Sequence, residues 1–132
     1  MNSVCVSGRL LNVPRYDVIP STSDSILRFL LDVDGTVLPV VCCNEMANLA
    51  RKSLLGLSVQ KGQEIFVAGS MKGNSYTDAV GSKNYLVYLV VSCLAYSHSE
   101  LLMREEIETT LVYSGLPFDV ADMEDILRYM ES

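Results

Sequence analysis

Residues 27–46 read LRFLLDVDGTVLPVVCCNEM, and they decide the architecture. Leu27, Phe29, Leu31 and Val33 alternate with Arg28, Leu30, Asp32 and Asp34, the period-two pattern of a strand with one strongly apolar face. Asp34-Gly35 is a tight hairpin signal, because both residues tolerate the positive φ that a two-residue turn requires. Val37 to Cys43 is then a continuous apolar run, expected to be a strand covered on both faces, with Pro39 pointing to an edge or a bulge within it. Asn44 is placed to cap a helix carrying Met46, Leu49, Ala50, Leu54 and Leu57 at roughly helical spacing. Strand, turn, strand and helix follow one another within about thirty residues.

Upstream, Val4, Val6, Gly8 and Leu10 alternate with Cys5, Ser7 and Arg9, giving another strand. Residues 12–24 hold Pro14 and Pro20 and are expected to be irregular. Downstream, Lys61-Gly62 is a turn, and Ile65, Val67 and Gly69 alternate with Phe66 and Ala68. Residues 72–84 are polar and glycine-bearing, so they predict a hairpin loop or a mobile β-arm. Tyr85 to Cys93 is the last strand, with Tyr85, Val87, Leu89 and Val91 on one face and Leu86, Tyr88 and Val90 on the other. Three strands, a helix and two strands is the order of the OB-fold, a five-stranded Greek-key barrel that takes ligands on one face and in its connecting loops.

Beyond Tyr96 the period becomes helical. Ser99 caps a first expected helix with Leu101, Leu102, Ile107 and Leu111 on one side, and Ser114 to Pro117 break it. Asp119, with Asp122 three residues on, caps a second helix bearing Met123, Ile126, Leu127 and Met130. The chain is thus expected to divide into a mainly β barrel, 1–98, and a helical extension, 99–132.

Charge separates the same two parts. Of 132 residues, 10 are basic and 16 acidic, a net of −6. Residues 1–98 sum to +1 and residues 99–132 to −7. Acid concentrated in one quarter of a chain can repel nucleic acid, cover a basic face or engage a basic partner, or it can be the solvated side of amphipathic helices.

The composition excludes several classes. About half the residues are apolar, enough for a core, and the length suits one ordinary domain rather than a large multidomain enzyme. The longest apolar-rich run, 85–95, is too short for a bilayer-spanning helix and is interrupted by Ser92, and no secretion signal is expected at the start. Cys5, Cys42, Cys43 and Cys93 sit in strand-like runs without metal-ligand spacing, and are expected to be buried, reduced thiols with Cys42 and Cys43 on opposite faces. His98 belongs to no motif. Asp32 and Asp34 share a strand face and could hold a cation, but acids flanking a turn are usually solvated. No catalytic motif, phosphate loop, metal or cofactor is expected.

Residues 2–10, NSVCVSGRL, resemble the N-x-V-x-L-x-G-R-L opening strand of bacterial-type single-stranded DNA-binding proteins. Pro14-Arg15-Tyr16 is similar to their P-x-x-R-Y stretch, shortened. Val40-Val41 followed by Met46-Ala47 resembles the strand entering their helix. Residues 61–69, KGQEIFVAG, resemble K-G-x-x-V-Y-V-E-G, and Tyr76-Thr77-Asp78 with Gly81, Lys83 and Tyr85 resembles W-T-D-x-x-G-x-x-R-Y. The pieces occur in order across about residues 2–96. The primosomal replication protein N family shares the barrel.

The resemblance implies a non-catalytic protein that grips unpaired strands with cations and stacking rings. It assigns Arg9, Arg15, Arg28, Lys72 and Lys83 to phosphates, and Tyr16, Tyr76 and Tyr85 to bases, with Tyr88 expected to pack the barrel or an interface. Single-stranded DNA is the implied ligand, with RNA open, in replication, repair or recombination. The implied compartment is the cytoplasm, at the nucleoid, or an organellar matrix. Self-association as a dimer or tetramer is implied through the first strand, at Val4, Val6 and Leu10, and the mean hydropathy of +0.26 suits a buried interface. The departures are equally plain. There is no tryptophan, the barrel is barely basic, and the family's flexible extension with its acidic tip is missing, Leu116-Pro117-Phe118-Asp119 being only an internal echo. Affinity is therefore expected to be modest and strongly salt-sensitive. The alternative is an OB-fold interaction subunit with little DNA binding, whose acidic segment engages a protein partner.

Overall fold

The computed structural model describes residues 3–52, 62–78, 80–96 and 113–130, with side chains of the last strand described as far as Ser92. Six strands and two helices run in the order β1 (Val4–Leu10), β2 (Arg15–Val18), β3 (Ser25–Val33), β4 (Thr36–Cys43), α1 (Glu45–Ala50), β5 (Glu64–Thr77), β6 (Lys83–Tyr96) and α2 (Val120–Met130). The strands neighbour one another as β1-β5-β6-β4-β3-β2, and β1 also pairs with β3, which closes the sheet into a barrel. All pairs are antiparallel except β4 with β6. This is the expected OB barrel.

The hairpin at the centre forms as its sequence dictates. Asp34 and Gly35 have φ of 51° and 88°, the pair of positive values of a type I′ turn, and Asp32 Oδ1 accepts the Gly35 N–H at 2.8 Å. β4 is an interior strand. Pro39 is tolerated there because it precedes Val40, the first residue registered with β6.

Three further expectations change. The stretch 12–24 is not wholly irregular. β2 forms within it and pairs with β3 from Arg15↔Arg28 to Val18↔Ser25, so β1 and β2 are two halves of one bent strand. At the bend, Asn12 Oδ1 accepts the Leu30 N–H at 2.9 Å, in place of a ladder carbonyl. Asn44 does not cap α1. Its side chain turns to β3, where Oδ1 accepts the Ser25 N–H and Nδ2 donates to Asp24 Oδ1, both at 3.0 Å. Cys5 is exposed, because β1 points its odd residues outward, while Cys42 and Cys43 are buried as expected. The polar stretch after Lys72 takes the second of its two expected forms, an arm, since β5 continues to Thr77 and β6 starts at Lys83. The later part of the first expected helix, the first tail helix, His98 and the Cys93 side chain lie outside the described residues.

Gly69 fixes where the arm leaves the barrel. β6 carries one extra residue, Ser92, opposite Ala68–Gly69, and a Cβ at position 69 would lie 1.9 Å from the Val90 carbonyl oxygen. The barrel interior is filled by Leu10, Leu27, Phe29, Leu31, Val40, Cys42, Ile65, Val67, Leu89 and Val91, and the α1 residues Met46, Ala47 and Ala50 close one end. A second buried cluster lies outside the barrel, on the other face of β3, β4 and β6. Among the described residues no helix is long and apolar enough to cross a membrane.

Candidate nucleic-acid interface

That outer face is made by the residues alternating with the core. Ile26 and Arg28 come from β3, Val41 and Cys43 from β4, and Tyr88 and Val90 from β6. In an OB barrel the face of the second and third strands, here β3 and β4, is the one that takes ligands. In this chain it is covered. Residues 113–130 cross it, and Phe118 packs edge-on against Tyr88 with ring centroids 5.3 Å apart. Leu116 and Met123 border the same cluster.

Two backbone-level contacts set the path. Tyr113 N–H donates to Asp24 Oδ2 at 2.9 Å, and Asn74 Nδ2 donates to the Ser114 carbonyl at 3.3 Å. α2 then begins with a reciprocal cap as expected. The Asp122 N–H donates to Asp119 Oδ1 at 2.8 Å and the Asp119 N–H to Asp122 Oδ2 at 2.9 Å. At the other end of the helix Tyr129 Oη donates to the Leu11 carbonyl at 2.8 Å.

Asp119, Asp122 and Asp125 recur every three residues, so one side of α2 is a row of carboxylates. That row meets two guanidinium groups that β2 and β3 set side by side. Arg28 lies 2.8 Å from Asp122, 3.2 Å from Asp119 and 3.1 Å from Asp17. Arg15 lies 3.2 Å from Asp125, 3.4 Å from Asp122 and 3.6 Å from Asp119. Arg128 donates to the other Asp125 oxygen. Arg28, Asp122 and Asp125 are buried. Burial drives the Asp119 carboxyl up, but the Asp122 N–H, Arg28 and Arg15 outweigh it, and its pKa falls below the ordinary value. For Asp122 burial prevails over the Asp119 N–H and Arg28, and the pKa is raised. Burial also raises Tyr88, whose hydroxyl donates to Asn74 Oδ1, and pushes the Cys43 thiol up to about 11 with help from the Asp24 charge.

The residues assigned to a nucleic-acid track do not share one surface. Arg15 and Arg28 lie on the outer face beneath α2. Lys72 is opposite Tyr88, and Tyr76 opposite Asn84, on the side of the arm that faces the tail. Tyr85 and Lys83 pair with Ser75 and Thr77 and point to the other side of the arm, where the Tyr85 ring lies across Gly73 and remains 66% exposed. Tyr16 is half-buried against the core, donates to Asn48 Oδ1 at 2.9 Å, and has the Arg51 guanidinium 4.3 Å over its ring. Arg9 is exposed, donates to the Gly62 carbonyl at 3.2 Å, and sits between Asp32 and Glu64 in register. Tyr88 packs, as expected. Leu10 is in the core and offers no outer surface, and Val4 and Val6 lean on that core. Sequence reasoning did not find the partners of Arg28. The i, i+3 aspartates were the available signal, and they read equally well as a solvated side.

No family model matches the chain, and no curated protein sequence matches it. Among solved structures it is similar to a Plasmodium falciparum SSB in complex with ssDNA. The two are 14% identical with a TM-score of 0.54, over 69% of this chain and 86% of that one. At that identity the likeness bears on the fold alone, and it agrees with the barrel described above.

Proposed function

We propose that the protein binds single-stranded DNA, without catalysis, on the outer face of β3 and β4 and along the tail side of the arm, and that residues 113–130 compete for that surface. The observation that carries this reading is the Arg15–Arg28 pair. Two cations stand on the ligand-taking face of an OB barrel, and the group that meets them is a row of anions. Lys72 and Tyr76 extend that surface, and Tyr88 becomes a stacking platform when Phe118 leaves it. The similarity to an SSB solved with ssDNA supports the same ligand. Replication, repair or recombination, at the nucleoid or in an organellar matrix, is the setting such binding serves. The side of β1 away from β5 has no strand partner over Val4–Gly8 among the described residues, an edge suited to pairing subunits as a dimer or tetramer.

Fluorescence anisotropy of labelled oligo-dT tests the reading. The full chain binds at low salt, Asp119→Asn with Asp122→Asn and Asp125→Asn binds about tenfold tighter, roughly 1.4 kcal/mol, and Lys72→Ala with Tyr76→Ala binds more weakly. A labelled oligo-U series separates DNA from RNA. The covered face favours a second reading, an OB-fold interaction subunit with little DNA affinity. No binding by the wild type or the triple Asn variant at tens of micromolar overturns the first reading and leaves the second.

A further inference from the structure

α2 has two unlike sides. Asp122, Asp125, Ile126 and Tyr129 meet the barrel. Val120 and Leu127 fall on the opposite side and are 76% and 54% exposed, and Met130, 65% exposed, lies on the flank one turn beyond Ile126. A surface helix ordinarily turns its apolar stripe inward. Here carboxylates take the inner side and leave the stripe outside. The stripe also borders a concavity. Between α2 and the arm lies a groove of about 530 Å³, with Tyr76, Leu116, Met123 and Leu127 among its walls. That is the size of a ligand site. Among the described residues its charged lining is Asp78, Asp119 and Glu124, with no basic residue.

Charge selects the occupant. A nucleic-acid strand is repelled by Asp78 and Glu124, Asp119 being paired with Arg15 and Arg28. A second copy of this chain would bring the same acid-lined stripe. The chain's own residues 99–112 carry four glutamates against one arginine, so they are also mismatched. We propose that the groove docks a cationic amphipathic helix of another protein, its apolar side chains against Tyr76, Met123 and Leu127 and its Lys or Arg against Glu124 and Asp78. The groove exists only while α2 rests on the barrel, so such a partner holds the tail down.

The probe is a labelled synthetic helix of about four turns, Leu on one side and Lys on the other, titrated into the full-length protein. A twin with Glu in place of Lys is the control. The Lys/Leu helix binds saturably and the Glu/Leu helix does not. Val120→Asn with Leu127→Asn weakens binding at least tenfold while leaving the circular dichroism spectrum and oligo-dT binding unchanged. Glu124→Lys lowers affinity for the Lys/Leu helix. Unchanged affinity in the double Asn variant overturns the proposal, because attraction to the chain's net charge would then suffice. Binding of both helices overturns it as well, and so does wild-type self-association in sedimentation that Val120→Asn with Leu127→Asn abolishes.

Discussion

β3, β4 and β6 each bury residues on both faces, and the two faces are closed in different ways. Inside the barrel, Leu27, Phe29, Leu31, Val40, Cys42, Leu89 and Val91 meet one another with no charge among them. Outside, Ile26, Val41, Cys43, Tyr88 and Val90 pack with Phe118 from the tail, and on the same face Arg28 meets the Asp122 carboxylate. The first seal is the closure of the sheet and comes apart only with the fold. The second is a segment of chain held by the Phe118–Tyr88 contact, a few further apolar side chains, three hydrogen bonds and a set of ion pairs. Buried ion pairs gain little over apolar packing, because desolvation offsets most of their attraction. A face closed this way can open without unfolding what lies beneath it.

Substitutions at the two seals separate them. The largest effect is expected from Phe29→Ala, which removes the biggest fully buried side chain among the described residues and costs about 3–5 kcal/mol. Its thermal melt, followed by circular dichroism, shifts down or disappears. Phe118→Ala is expected to leave the barrel melt within about 1 kcal/mol of wild type, because its loss is limited to tail docking. Its effect appears at the adjacent cysteines instead. Cys43 lies under the tail and Cys42 inside the barrel, so alkylation mapped by mass spectrometry should rise at Cys43 several-fold and stay slow at Cys42, with Cys5 modified first in both proteins. Equal acceleration at Cys42 and Cys43 would mean that the two seals are one cooperative unit.

Acid is expected to do least. The lowered Asp119 carboxyl stabilises docking fully above its unfolded value of about 3.9, and that contribution is lost as pH falls through its lower folded value. The raised Asp122 carboxyl acts oppositely, since its protonation is favoured in the docked state and relieves part of the cost of burying it. The opposed signs predict that protease cleavage within residues 113–130 stays nearly flat from neutral pH down to the ordinary carboxylate range and rises only below it.

Where the physics is local, the sequence was readable. Asp34-Gly35 makes the turn it encodes, Asp119 and Asp122 make the cap, and adjacent Cys42 and Cys43 take opposite faces. The misreadings lie where a distant partner decides. Asn44 looks like a cap until Ser25 and Asp24 claim its side chain. β2 was hidden between two prolines, because its ladder belongs to β3. Arg28 alternates away from the core as expected, yet it is buried by residues some ninety positions later in the chain. A period of three in aspartates has the same appearance facing water as facing two arginines.

The tether that leads into α2 changes what a salt titration would measure. Asp24 grips the Tyr113 amide and Asn74 the Ser114 carbonyl, so a released α2 stays near its seat at a high effective concentration that dilution does not lower. A strand arriving at Arg15 and Arg28 must displace the carboxylates already there, and those ion pairs weaken as salt rises. Their loosening with salt offsets part of the usual loss of affinity, and log K against log salt should flatten by up to about 0.7 unit for each of the two arginines. Replacing the three aspartates with asparagine should restore the steeper line. The intact chain would then hold unpaired strands with an affinity that is lower but changes less with ionic strength.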